Sequence, residues 1–324
     1  MCNDNSEKLI CGSEVAPREI EWLWYPYIPI GKITMLQGDP GEGKSTFALN
    51  LAALMTRGEA FPFTGGEAEP MNVIYQNTED DLDDTVIPRF IRAGGDVSRI
   101  YFIDESHNPL TFADTARIEQ AIKDTDAGLL IFDPLVSYIG EDVAMNQANE
   151  VRARFNNLIR IAKEHQCAIL IVCHMNKMQG AKALYRAVGS IDVVAAARSC
   201  LVIGTSRDDP AKRIMAVQKC NLAEKGEAIE FSLTDGRVEW LGTIDMTADE
   251  LLNTLAAPSG DHTNKIETAK ACLLDLLSAG AVSQQDVMTA MSERDISQRT
   301  AENAKRELGI KSTHKNSGWY WSLN

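Results

Sequence analysis

Gly38-Asp39-Pro40-Gly41-Glu42-Gly43-Lys44-Ser45 has the spacing G-x-x-x-x-G-K-S, and the residues on either side of it decide how it is read. Upstream, Ile33-Thr34-Met35-Leu36 is a short apolar run of the buried-strand type. Downstream, Phe47, Leu49, Leu51, Ala52 and Met55 recur as a helix over Thr46 to Met55 requires. A strand, a glycine-rich turn and a helix, in that order, is the setting in which this motif forms a phosphate loop. Glycines let successive backbone N–H groups turn towards the phosphates, and the helix N-terminus adds partial positive charge. The pattern predicts a site for ATP and Mg2+ built from Gly38, Asp39, Pro40, Gly41, Glu42, Gly43, Lys44, Ser45 and Thr46. Lys44 is placed to reach the β and γ phosphates, the Ser45 hydroxyl to ligate magnesium, and Thr46 to support the turn.

Beyond this loop, strand-like runs alternate with helical patterns: Val73 to Gln76, Ile100 to Ile103, Leu129 to Phe132, Ala168 to Cys173 and Cys200 to Ile203. Such alternation predicts an α/β fold, a mostly parallel sheet with helices on both faces. The clearest helix is Gln147 to His165, with Val151, Phe155, Leu158, Ile159 and Ala162 on one face. After residue 200 shorter strands follow, and Thr234-Asp235-Gly236-Arg237 between Ala228–Phe231 and Val238–Leu241 predicts an antiparallel hairpin at the sheet edge.

Three of these strands end in polar residues, at the edge where open α/β sheets bind ligands. Gly128-Leu129-Leu130-Ile131-Phe132-Asp133 is a hydrophobic strand ending in an aspartate suited to holding magnesium. Asn72 to Gln76 leads into Asn77-Thr78-Glu79-Asp80-Asp81, where Glu79 is the candidate base that orients and deprotonates water. Asp80, Asp81 and Asp83 are assigned instead to capping a helix that begins near Leu82. Ile169 to Cys173 ends in His174, a candidate sensor of the γ phosphate.

With those elements in place, Gly31 to Ser45, Glu79, Asp133-Pro134-Leu135, His174 and Gly189 to Arg198 together resemble the RecA-like ATPases, and among them the RepA-like hexameric helicases. The resemblance covers Glu21 to Leu241. It implies an oligomeric ring, ATP hydrolysis at subunit boundaries, and single-stranded DNA in a central channel. It carries over Lys44, Ser45, Glu79, Asp133 and His174 as site residues. It also implies a cation supplied by the neighbouring subunit, for which Arg198 and Lys219 are alternatives and Arg207 a third. Lys177, Lys182 and Arg186, with Tyr185, make the loop after His174 the most basic local segment, a candidate for tracking single strands or simply a solvated loop. The aromatic stretch Glu21 to Tyr27 is open between stacking on adenine and packing on a neighbouring subunit.

The 324 residues carry 32 basic and 46 acidic side chains, a net charge of -14, which argues against a broad duplex-coating surface. Seven scattered cysteines and the polar N-terminus suit a cytoplasmic protein with reduced thiols. The domain reading is an N-terminal segment 1–20, an ATPase domain 21–245, a linker 246–264 and a small domain 265–324. That last segment has eight basic residues against seven acidic ones and reads as three helices and a hairpin resembling a winged helix. Arg299, Lys305 and Arg306 on its third helix, and Lys315 on the wing, are candidates for duplex DNA, with protein docking as the alternative. The preferred function is a DNA-dependent ATPase motor, a RepA-like replicative helicase or related DNA-binding ATPase of a mobile element; the competing one is an ATP-switched DNA-binding regulator without unwinding activity.

Overall fold

The computed structural model describes residues 9–64, 68–140, 148–175, 191–256, 261–278, 280–292, 294, 296, 298–315 and 318–322. They fall into two compact units, Met1–Thr254 and Leu255–Asn324.

In the first unit a two-stranded antiparallel ribbon, β1 (Trp22–Trp24) and β2 (Ile28–Pro29), precedes β3 (Ile33–Gly38). The glycine loop then turns into α1 (Lys44–Arg57). There follow β4 (Asn72–Asn77), α2 (Ile87–Arg92), β5 (Ile100–Tyr101), α3 (Thr115–Thr125), β6 (Ala127–Asp133), α4 (Leu135–Tyr138), α5 (Ala148–His165), β7 (Ala168–His174), α6 (Ile191–Ala196) and β8 (Ser199–Thr205). The unit continues with β9 (Lys212–Cys220), β10 (Ala228–Thr234), β11 (Arg237–Ile244) and α7 (Ala248–Ala256).

Nine strands form one sheet in the order β11-β10-β9-β8-β3-β7-β6-β4-β5. From β8 to β5 neighbouring strands are parallel; β9, β10 and β11 are added antiparallel. This is the mostly parallel, helix-flanked sheet the alternating pattern predicts. Parallel register brings strand ends to one edge: Gly38 pairs with His174, and Asn77 with Asp133. The β10–β11 hairpin turns at Asp235 and Gly236, whose φ values of 51° and 80° are those a two-residue hairpin turn demands.

Because side chains alternate across a strand, each central strand feeds two cores. Leu129 and Ile131 of β6 join Trp24, Phe47 and Phe231 on one face. Leu130 and Phe132 join Phe112, Tyr138 and Phe155 on the other. On α5, Val151, Phe155, Leu158 and Ala162 are buried, as is Ile161, while Ile159 is only partly so.

Several expectations need correction. The strand foreseen over Ile100–Ile103 stops at Tyr101, because the Gln76 amide takes both backbone groups of Ile103, accepting its N–H at 2.5 Å and donating to its C=O at 3.2 Å. Asp80, Asp81 and Asp83 do not cap the following helix with their side chains. Asp81 is the N-cap but makes no side-chain cap bond, the chain continues as a π turn over Leu82–Val86, and Asp80 pairs with Arg89 at 2.6 Å. Within the aromatic stretch Trp24 and Tyr27 are buried, with Trp24 packed on Phe47, Phe61 and Trp240, whereas Tyr25 is exposed and meets Trp22 edge-on. Of the segment 246–264, Ala248–Ala256 form α7, with Ala248, Leu251 and Leu252 buried, and Asp261 begins a further helix.

The second unit contains α8 (Asp261–Leu277), β12 (Val282–Ser283), α9 (Gln284–Ser292), α10 (Gln298–Glu307), β13 (Lys311–Lys315) and β14 (Gly318–Ser322). β14 lies between β12 and β13 in a small antiparallel sheet. The short β12 escaped the sequence pattern because it is two residues long. Ser283 starts α9 with a capping interaction, its hydroxyl accepting the Asp286 N–H at 3.1 Å and donating to the Asp286 carboxylate at 2.7 Å. Trp321, Leu273, Val287 and Met291 are central to the core, whereas Trp319 is exposed.

Candidate active site

The phosphate loop bridges β3 and α1 with Gly41 and Gly43 at φ values of 85° and 84°, a left-handed conformation that glycine adopts without steric cost. A Cβ on Gly43 would run into the Leu233 side chain, and one on Gly38 would come 2.5 Å from the Ile203 carbonyl. Gly38 is therefore constrained by a tertiary contact, Gly41 by the turn, and Gly43 by both. Lys44 is 4% exposed, and its Nζ donates to the Asp39 carbonyl at 2.8 Å. Burial pushes its amine pKa down, while the nearby Asp133 and Glu42 carboxylates oppose that shift. Asn50, two turns into α1, donates to the carbonyls of Thr46 and Gly236 and accepts the Val238 N–H at 3.0 Å, fixing the helix to the β10–β11 turn.

Asp133, at the tip of β6, is 3% exposed. Burial raises its pKa; hydrogen bonds from the Ser45 and Tyr75 hydroxyls work the other way, the latter at 2.8 Å. A serine hydroxyl and a carboxylate meeting on one spot offer hard oxygen donors, which fit Mg2+. Tyr75 was not singled out in the sequence. Its position two residues before Asn77 on β4, opposite Ile131, places it beside Asp133, and only the strand register reveals this.

At the next strand ends, the Glu79 carboxylate lies 4.0 Å from His174 Nε2. Asn77 holds the intervening turn by accepting the N–H groups of Glu79 and Asp80, both at 2.8 Å. The Nδ1 atom of His174 is buried with no hydrogen-bond partner among the described residues. Glu79 also borders an open cavity of about 420 Å³ that Asp80, Asp104 and Glu105 make acidic. Thus Lys44, Ser45, Asp133, Glu79 and His174, separated by up to 130 residues in the chain, come to one edge of the sheet.

The candidate cations separate. Arg198 and Arg207 are exposed. Lys219 is half-buried and donates to the carbonyls of Val194 and Ala197, each at 2.8 Å, so its amine serves the C-terminal end of α6. Lys177, Lys182 and Arg186 lie outside the described residues. In the second unit Arg299 belongs to α10 and Lys315 to β13, and Arg306 is exposed. Lys305 bends over the Trp321 ring at 4.2 Å from its centroid and reaches the Ser312 hydroxyl at 2.5 Å.

Among the described residues no helix is long and apolar enough to cross a membrane. Residues 8–180 match the family model AAA_25, described as an AAA domain. Among curated proteins, the chain is 30% identical over 166 residues to the DNA repair protein RadA of Halalkalibacterium halodurans, a match covering 50% of this chain and 32% of that protein. The RadA proteins of Streptococcus pneumoniae and Rickettsia conorii are each 26% identical, over 45% and 50% of this chain and 31% and 34% of their own lengths. The matched region is thus about a third of each relative.

Proposed function

The chain belongs to the AAA_25 family of AAA domains, with a RecA-like P-loop ATPase core, and from that premise we propose that it is a DNA-dependent ATPase motor working as an oligomeric ring of the RepA-like helicase type. The observation that carries this reading is the pairing of Glu79 with His174 at 4.0 Å, beside the buried Asp133. A site that only bound nucleotide would need the phosphate loop and Asp133; a base next to a polar strand-end residue is what hydrolysis adds.

In this reading the loop amides and Lys44 hold the β and γ phosphates. Mg2+, when bound between Ser45 and Asp133, would neutralise phosphate charge. Glu79 orients a water in line with the γ phosphate and takes its proton, and His174 reports on the state of that phosphate. Engagement of Lys219 by the α6 carbonyls favours Arg198 as the cation offered to a neighbouring subunit's site. DNA enters the proposal through the relatives, whose printed name is DNA repair protein, and through the second unit. Its order α-β-α-α-β-β is that of a winged helix, with α10 as the candidate recognition helix for duplex DNA. Lys177, Lys182 and Arg186 are proposed to meet single-stranded DNA in the ring channel.

The test is steady-state ATP hydrolysis by the purified chain, alone and with single-stranded or duplex DNA, with Lys44→Ala as the blank. Stimulation by single strands is expected, together with a loss of at least about a thousandfold in Lys44→Ala, the scale of removing a principal transition-state charge. Hydrolysis indifferent to DNA, alongside tight duplex binding by the whole chain, would replace the motor with an ATP-switched regulator.

A further inference from the structure

Within the phosphate loop, Glu42 brings a carboxylate next to the place where polyphosphate charge would be bound. Such a group is unfavourable there unless something cancels it. The Thr205 hydroxyl donates to Glu42 Oε2 at 2.6 Å, and Arg213 Nε lies 3.5 Å from the same oxygen. The two charged side chains are shielded from water, 13% exposed for Glu42 and 19% for Arg213. Thr205 and Arg213 face one another across the β8–β9 ladder, so both come from the strand pair next to β3. Arg213 is itself held by its Nη1, which donates to the carbonyls of Pro210 at 2.7 Å and Lys212 at 3.1 Å. Lys212, the next residue, is tied to Glu230 of β10 at 3.0 Å, which stiffens the same turn. Nothing in the motif spacing calls for either contact; they exist because β8 runs parallel to β3 and ends at the same edge.

We propose that Arg213 is a positioning residue for the nucleotide, which cancels the Glu42 charge and anchors the phosphate loop to the β8–β9 turn so that the loop can accept a polyphosphate. The inference rests on the ATP site proposed above. It makes Arg213 act through Glu42 and not through contact with the nucleotide. Two consequences follow: by Coulomb's law the effect of removing Arg213 scales with the number of phosphates, and neutralising Glu42 as well, which restores the net charge of the site, offsets it.

Equilibrium binding of Mg-ATP, Mg-ADP and AMP to the full-length chain would test this, in the native protein and in Arg213→Ala, Glu42→Gln and the double variant. Arg213→Ala is expected to weaken ATP binding about tenfold or more, ADP less and AMP hardly at all, while turnover at saturating ATP stays within about threefold of native. Adding Glu42→Gln should restore ATP affinity to within about threefold, a recovery that a merely structural role for Arg213 would not produce. An ATP affinity that stays unrestored in the double variant, or an equal loss for all three nucleotides, overturns the proposal. Should Arg213→Ala fail to fold, Glu42→Gln alone decides: it is expected to bind ATP at least as tightly as the native chain, and a loss beyond about tenfold overturns the proposal. A native chain that binds no nucleotide removes the ATPase reading and this inference with it. Loss of ATP binding in Lys44→Ala with none in Arg213→Ala removes this inference alone.

Discussion

The sheet edge of the first unit and the helical face of the second handle charge in opposite ways. At the sheet edge Lys44, Asp133, Glu42 and Arg213 are largely shielded; Lys44 is held within its own loop by the Asp39 carbonyl, Asp133 by Tyr75 of β4, and Glu42 lies against Arg213 of β9. In the second unit Arg306 and Lys311 are exposed, and the whole 265–324 segment is close to neutral. Charge buried at this cost in desolvation is kept only where specific partners repay it, and such sites perform chemistry on a small, highly charged ligand. Exposed charge at low net density steers and holds a large ligand weakly and with strong salt dependence. Lys305 is the exception that sharpens the contrast, since it lies in the basic helix yet is engaged by Trp321 and Ser312.

The largest expected effect belongs to the sheet edge. Glu79→Gln should lower kcat by about a hundredfold or more while leaving ATP affinity close to native, the signature of a lost general base. Single-turnover hydrolysis combined with nucleotide retention on the purified protein would measure both, and normal turnover would remove Glu79 from its assigned role. Next comes Tyr75→Phe, which deletes only the hydroxyl that donates to Asp133. A hydrogen bond to a buried carboxylate is worth about 1.5–3 kcal/mol, so a rise of about tenfold in the magnesium concentration for half-maximal turnover is expected. An unchanged magnesium titration would mean that Ser45 and the surrounding dipoles suffice for Asp133.

The smallest effects distinguish the two lysine and arginine neighbours of α10. Arg306→Ala should weaken duplex DNA binding a few-fold and reduce the salt slope by about one unit, with DNA-independent ATP hydrolysis unchanged. Lys305→Ala should instead lower the thermal stability of the second unit, by about 1 kcal/mol for the lost contact with the Trp321 face. Calorimetry and a salt titration of fluorescent duplex binding would separate the two. If both substitutions affected DNA equally and stability not at all, the contact of Lys305 with Trp321 would carry no weight in the stability of this unit.

Much of the candidate site was legible in the chain because its parts are short and local. The glycine loop needs only eight consecutive residues, and a hydrophobic run ending in Asp133 or His174 announces a strand tip without any knowledge of its neighbours. Where reading the chain failed, the cause was a contact between distant segments. Asp80 looked like a cap, but Arg89 claimed it and Asn77 did the holding of the turn. Ile103 looked like strand until the Gln76 amide took its backbone groups. Lys219 looked like a cation for a neighbouring subunit, yet the end of α6 lies within reach of its amine. Trp24 and Tyr27 looked available for a ligand, and the aromatic cluster around Phe47 absorbed them.

The linear chain, by itself, determined the phosphate loop, the alternation of strands and helices, and hence a parallel sheet whose strand tips share one edge, since hydrophobic periodicity and glycine placement act over a few residues. Tertiary structure alone decided which tips meet. Tyr75 reaches Asp133 and Glu79 faces His174 only because β4 pairs with β6 and β6 with β7, and Glu42 finds Arg213 only because β8 and β9 complete the sheet beside the loop. Pairing order is set by how two cores fill on either face of the sheet, a property of the packed whole that no local pattern encodes.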